Sequence, residues 1–192
     1  MTIAGKKLLV CVCGGIAAYK VCHIVSRLVQ QQVQVDVAMT AAARQFIGPL
    51  TFETLTARPV HSDLWSNPRG QDPQHLHLIH QCDLILVAPA TADMLAKMAH
   101  GIADDLVSTL LLAARPESIL AAPAMNEAMW NNPATQSNVD ILQRRGTMMI
   151  GPESGWQACR TVGMGRMSEP ESIIQALARR LEGAPTSNEK RD

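Results

Sequence analysis

The chain carries no excess of either charge: 17 Lys and Arg stand against 17 Asp and Glu in 192 residues. Without a basic stripe to neutralise a phosphate backbone, nucleic acid is not expected as a partner. Long apolar runs are missing too. The longest, residues 8–13 and 84–90, fall far short of the ~18 residues of a membrane span, so a soluble protein with no membrane partner is expected. The apolar stretch after Lys6 and Lys7 is shorter than the ~7 to 15 residues of a signal-peptide core and runs into Gly14-Gly15. It reads as a first strand in a cytoplasmic protein. The five cysteines, Cys11, Cys13, Cys22, Cys82 and Cys159, are odd in number and contain no CxxC pair, which fits free thiols in a reducing compartment. HExxH, GxGxxG and GxxxxGK[ST] are all absent, and no internal repeat is found.

With 47% hydrophobic residues, the chain can build one sizeable core. A single domain over residues 1–182 is expected, followed by a polar, disordered tail over 183–192. Strands are predicted over 7–12, 33–39, 59–61, 84–87, 118–122 and 147–150. Helices are predicted over 16–31, 41–46, 51–56, 92–100, 104–114, 132–145 and 169–181, with another starting at Glu127. This alternation implies an α/β class: a doubly wound, Rossmann-like parallel sheet of about six strands with helices on both faces. Two stretches lack periodicity. Residues 66–74 read as a mobile polar loop, and 151–167, with glycines at 151, 155, 163 and 165, as a loop long enough to need a function.

Candidate site residues cluster where strands end. Asn126 follows the buried strand over 118–122, where open sheets bind ligands, and its neutral amide suits holding a substrate; it equally suits capping the next helix. Gly14-Gly15 opens a helix and can present amides to a phosphate monoester, or it is a tight turn without a ligand. Thr40 reads as an N-cap or a phosphate contact. Thr91 caps the helix over 92–100, and the small residues of 88–93 leave room for a flat ring. Asp104 and Asp105 open a helix as its dipole prefers, and are not read as a catalytic pair. His75, His77, His80 and Cys82 lack a metal-ligand spacing, so no metal is expected. A lone cysteine such as Cys159 is a buried filler or a proton donor.

Four separated stretches, Gly14 to Lys20, Ala88 to Asp93, Pro123 to Trp130 (PAMNEAMW), and Gln157-Ala158-Cys159 with Gly163 to Met167, resemble the homo-oligomeric flavin-containing cysteine decarboxylases over about residues 5–180. The resemblance implies FMN as cofactor, held by Gly14, Gly15, Ile16, Thr40, Pro89, Ala90, Thr91 and Asp93. It implies His75 as base or substrate orienter, Asn126 as holder of the substrate carboxylate and amide, and Cys159 as the final acid. Met125, Arg160, Arg166 and Met167 join Asn126 as substrate-binding residues. The reaction implied is decarboxylation of 4'-phosphopantothenoylcysteine to 4'-phosphopantetheine, a step of coenzyme A biosynthesis. It needs an electron sink, supplied by hydride transfer to the flavin; thioaldehyde and enethiolate stages follow. Trimers or dodecamers, with sites where subunits meet, are implied as well. Two residues depart from the family pattern: Cys13 stands where a Ser or Thr is usual, and Arg160 where a Gly is usual. A second domain that joins cysteine to 4'-phosphopantothenate in many bacterial members has no counterpart after the last helix, so that activity is expected to be absent. The alternatives are a lantibiotic-type peptidyl-cysteine decarboxylase, which stops at the enethiol, and a non-catalytic relative that regulates a phosphatase.

Overall fold

Along β1 (Lys7–Val12), Leu8, Val10 and Val12 alternate with Leu9 and Cys11, and the period of two sends the sets to opposite faces of a sheet. Both faces are apolar because both are covered, as a parallel sheet requires. The computed structural model describes residues 3–65 and 74–183, with only the backbone of 74, 75 and 183. Its six-stranded sheet adds β2 (Gln34–Met39), β3 (Val60–His61), β4 (Leu84–Ala90), β5 (Ile119–Pro123) and β6 (Met148–Met149). All pairings are parallel, in the order β3-β2-β1-β4-β5-β6. The six-stranded, doubly wound expectation is met.

On one face, Val21, Ile24, Val25 and Leu28 of α1 (Ala18–Gln30) pack with Phe52 of α2 (Pro49–Thr56) and Ile173, Leu177 and Leu181 of α8 (Pro170–Gly183). On the other lie α3 (Gln74–Gln81), α4 (Ala92–His100), α5 (Leu106–Ala113) and α7 (Pro133–Arg144), through Leu78, Met94, Leu95, Leu106, Leu110, Val139 and Leu142. None of the described helices is long and apolar enough to cross a membrane.

The structure corrects three local expectations. Residues 151–167 are not irregular: β7 (Glu153–Trp156) and β8 (Val162–Arg166) form an antiparallel hairpin. Glycines replace the apolar residues a strand would show because β8 lies directly on its neighbours. A Cβ at Gly163 would strike the Glu127 carboxylate, and one at Gly165 the Met125 carbonyl. The helix expected over 41–46 is only a 3-10 turn at Ala43–Gln45, too short to propagate, and α2 starts afresh at Pro49, which suits a first helical position. β4 continues through Pro89 to Ala90, with an irregular register after Val87. The helix expected to start at Glu127 does so, as the single turn α6 (Glu127–Trp130). The polar loop expected over 66–74, apart from Gln74, and the tail from 184 onward lie outside the described residues.

Candidate active site

From β1 the chain winds toward β2 and β3, and from β4 toward β5 and β6, so the two halves part at the carboxyl ends of β1 and β4. A crevice is expected at that switch point. A cleft of about 1060 Å³ opens there, at the upper end of the usual ligand-site range and large enough for a cofactor and a substrate together. Cys13 to Ala17 form one wall, Thr40 to Ala42 a second, and Thr91 to Met94 a third; Ala124 to Asn126 and the hairpin segments Trp156 to Cys159 and Gly165 to Met167 close it.

Of the residues expected at the site, Gly14, Gly15, Ile16, Thr40, Thr91, Asp93, Met125, Asn126, Cys159, Arg166 and Met167 meet in this cleft. Pro89 and Ala90 do not line it; both are buried in β4, with Thr91 forming the wall beside them. Arg160 is exposed at the hairpin tip and is not part of the cleft wall. Its φ of 66° lies in the left-handed region, which explains why glycine suits that position. His75 falls in the first turn of α3, and its side chain lies outside the described residues.

Gly14 is required by close approach and not by an unusual φ, since a Cβ there would collide with Ala42. α1 opens with no acidic residue in its first turn and no side-chain cap, leaving its positive dipole end toward the cleft. Thr40 Oγ1 accepts the Ala43 N–H at 3.1 Å, so its hydroxyl proton remains available to donate. Thr91 caps α4 through the Met94 N–H at 3.2 Å, as expected. Burial, reinforced by Asp105 and Asp93, holds the Cys13 thiol far above its ordinary range, so a neutral S–H lines the wall where the family has a hydroxyl.

Asn126 is a helix cap at the cleft. Its Oδ1 accepts the Met129 N–H at 2.8 Å, capping α6, and that bond leaves its two side-chain N–H donors unused by the cap. Asp105 makes a capping box with Ser108, and Asp104 pairs with Lys97 at 3.0 Å; the helix expected over 104–114 starts only at Leu106, so the two acids precede its first turn, Asp105 as its N-cap. That Asp104 hydrogen bond holds the Lys97 ammonium above its usual range, against the opposing effect of burial, and holds the Asp104 carboxyl below its own.

Sequence reasoning missed Lys20, Lys97, Glu127 and Gln157. Lys20 Nζ reaches Glu169 at 3.2 Å and the Met167 carbonyl at 3.4 Å, tying the segment after the hairpin to α1, and Arg166 at the end of β8 also pairs with Glu169. Glu127 accepts the Met164 N–H at 3.3 Å and gives its own N–H to Gln157 at 3.2 Å. Lys20, Glu127 and Gln157 lay inside the recognised stretches, but nothing in their spacing distinguished them.

Comparison with known proteins agrees with this geometry. The chain is 45% identical over 173 residues to the coenzyme A biosynthesis bifunctional protein CoaBC of Vibrio parahaemolyticus, covering 90% of this chain and 43% of that protein. It is 44% identical over 174 residues to CoaBC of Escherichia coli K12, covering 91% and 43%. The chain thus spans under half the length of these relatives. Among solved structures, a PPC decarboxylase mutant complexed with pantothenoylaminoethenethiol superimposes with a TM-score of 0.83 at 28% identity, covering 93% of this chain and 99% of that one. The FMN-dependent cysteine decarboxylase SpaF gives 0.78 at 35% identity, covering 93% and 99%. The Flavoprotein family model matches residues 2–182. By the breadth of that match and the level of identity, the chain belongs to the Flavoprotein family.

Proposed function

We propose that the protein is an FMN-dependent carboxy-lyase that converts 4'-phosphopantothenoylcysteine to 4'-phosphopantetheine in coenzyme A biosynthesis. The observation that carries this reading is convergence: Gly14-Gly15, Thr91, Asp93, Asn126 and Cys159, far apart in the chain, line one cleft. The similarity to coenzyme A biosynthesis proteins and to a PPC decarboxylase supports the same reading.

The cleft fits FMN in size, and Gly14, Gly15, Ala41, Ala42 and Ala92 give it small-residue walls for a flat ring. Gly14, Gly15, Ile16 and Thr40 would hold the phosphate at the uncapped start of α1, and Thr91 and Asp93 would flank the ring. Bound FMN supplies a reversible hydride sink for the thiol-bearing carbon. The chain's own groups do the rest. His75 takes the thiol proton or orients the substrate, and Asn126 donates to the substrate carboxylate and amide carbonyl. Met125, Arg166 and Met167 line the substrate side. Once the thiol-bearing carbon is a thioaldehyde, the carboxylate is beta to an electron-poor C=S and leaves as carbon dioxide. Cys159 then protonates the carbon that lost it.

The same reading makes the protein a cytoplasmic homotrimer, or a dodecamer of trimers, with each site closed by a neighbouring copy. Three large apolar residues at the cleft, Ile16, Tyr19 and Trp156, are 58%, 60% and 64% exposed, which supports completion by another subunit. Mass spectrometry of 4'-phosphopantothenoylcysteine incubated with the purified protein, without added reductant, tests the activity. Loss of one carbon dioxide to give the saturated thiol is expected, and Cys159→Ser should stop at the enethiol. The relationship to SpaF favours a second reading, a cysteine decarboxylase acting on a peptide. An enethiol from the unaltered protein would favour that reading, and no conversion would reject the first.

A further inference from the structure

Gln157 is 7% exposed, and its side-chain amide makes four hydrogen bonds. Nε2 donates to the carbonyls of Met164 at 2.7 Å and Gly163 at 3.2 Å. Two carbonyl acceptors can face only the NH₂ end, so Oε1 must point the other way. There it accepts the Glu127 N–H at 3.2 Å and the Cys159 thiol at 3.4 Å. Every donor and acceptor of the amide is thus matched, in a buried place where an unmatched one is costly. The Gln157 backbone also sets the tip, through N–H to Thr161 O and Arg160 N–H to Gln157 O, each 2.9 Å.

We propose that Gln157 is a positioning residue: its one amide ties the hairpin to the start of α6, beside Asn126, and fixes the sulfur of Cys159 over the cleft. This rests on the decarboxylase reading above. In the last steps of that cycle, a C–H bond forms at the carbon that lost carbon dioxide as the Cys159 S–H bond breaks. Bound FMN would supply the hydride that the sulfur-bearing carbon gains, and the Cys159 thiolate regains a proton from solvent. Rotation about Cβ–Sγ swings the thiol proton from Gln157 toward substrate without moving the sulfur. The Thr161 hydroxyl, 3.0 Å from that sulfur, can donate to it once the proton has left. Gln157 therefore acts on the step that needs Cys159, while carbon dioxide loss depends on other groups.

The test compares Gln157→Met, which removes the amide, with Gln157→Glu, which keeps an acceptor toward Cys159 but needs a proton to face the Met164 carbonyl. Carbon dioxide release, the ratio of enethiol to saturated thiol, and alkylation of Cys159 by iodoacetamide are measured on each. In both variants the enethiol share at neutral pH should rise roughly tenfold, about the effect of one lost hydrogen bond, with carbon dioxide release much less affected. Alkylation of Cys159 should change by more than about threefold, since the sulfur is no longer held. Gln157→Glu should return toward the unaltered protein's ratio at the same pH as the pH falls and the carboxyl gains its proton. A parental enethiol share in both variants, or Cys159 alkylation within that factor in both, overturns the proposal. Equal loss of both half-reactions in both variants also overturns it, leaving Gln157 as a scaffold for the hairpin. If the unaltered protein does not convert the substrate, the decarboxylase reading fails, while the alkylation rates still decide whether Gln157 holds Cys159.

Discussion

Gly14 and Gly15 are adjacent, yet they are glycine for different degrees of need. A Cβ at Gly15 would meet Pro89 and Thr91 at 3.7 Å, an ordinary contact, whereas one at Gly14 would overlap Ala42. Since Ala42 belongs to the turn after β2, Gly14→Ala should push two cleft walls apart. The expected cost is about 1–3 kcal/mol, the range of an overpacked interior, together with loss of the yellow colour of retained flavin. Gly15→Ala should keep the colour and cost less than about 1 kcal/mol. Denaturant titration and absorbance of the purified variants check both; equal effects would mean that close approach to Ala42 is not what the first glycine serves. Thr40 and Asn126 share a different feature, because each uses an oxygen lone pair for a local cap and keeps its donors. For both residues the structural and the functional readings were never exclusive.

Among the elements, α5 is nearly all apolar and depends on its start. Asp105 accepts the Ser108 N–H at 2.7 Å, and Ser108 Oγ accepts the Asp105 N–H at 3.0 Å, satisfying two donors that the helix cannot. Asp105→Ala should cost about 0.5–2 kcal/mol in urea unfolding with an unchanged slope. Asp105→Asn keeps the acceptor and should stay within a few tenths of the parent. If Asn destabilises as much as Ala, the charge matters and the cap does not. The hairpin β7–β8 is the element whose existence the sequence concealed. Its register depends on contacts with Glu127 and Met125 from the β5–α6 segment, which no local pattern of residues 151–167 encodes.

For the whole molecule, the order β3-β2-β1-β4-β5-β6 forces the carboxyl ends of β1 and β4 to flank an opening, and four distant motifs meet there for that reason. Apolar side chains remain exposed at that opening, Tyr19 and Ile16 among them. If the proposed trimer covers them, native mass spectrometry at micromolar concentration should give a mass that is a multiple of three chains, and Tyr19→Asp should lower it. A monomer at that concentration would reject the trimer and the shared site with it.

What the residues determined by themselves was the alternation of buried strands with amphipathic helices, and hence the doubly wound sheet, because period and capping are local properties. Leu84 to Val87, the N-cap Thr91, and the apolar face of α8 were legible in this way. The site motifs were legible through resemblance, and their residue types agreed with their chemistry. What only the tertiary structure decided was which groups share a cleft and which way their atoms face. The partners of Lys20, Gln157 and Glu127 come from segments distant in the chain or from backbone groups, and a hydrogen bond leaves no periodicity in the sequence that makes it. The hairpin belongs here as well: its glycines encode contact with a neighbouring backbone, and that contact exists only after β5 and α6 are in place.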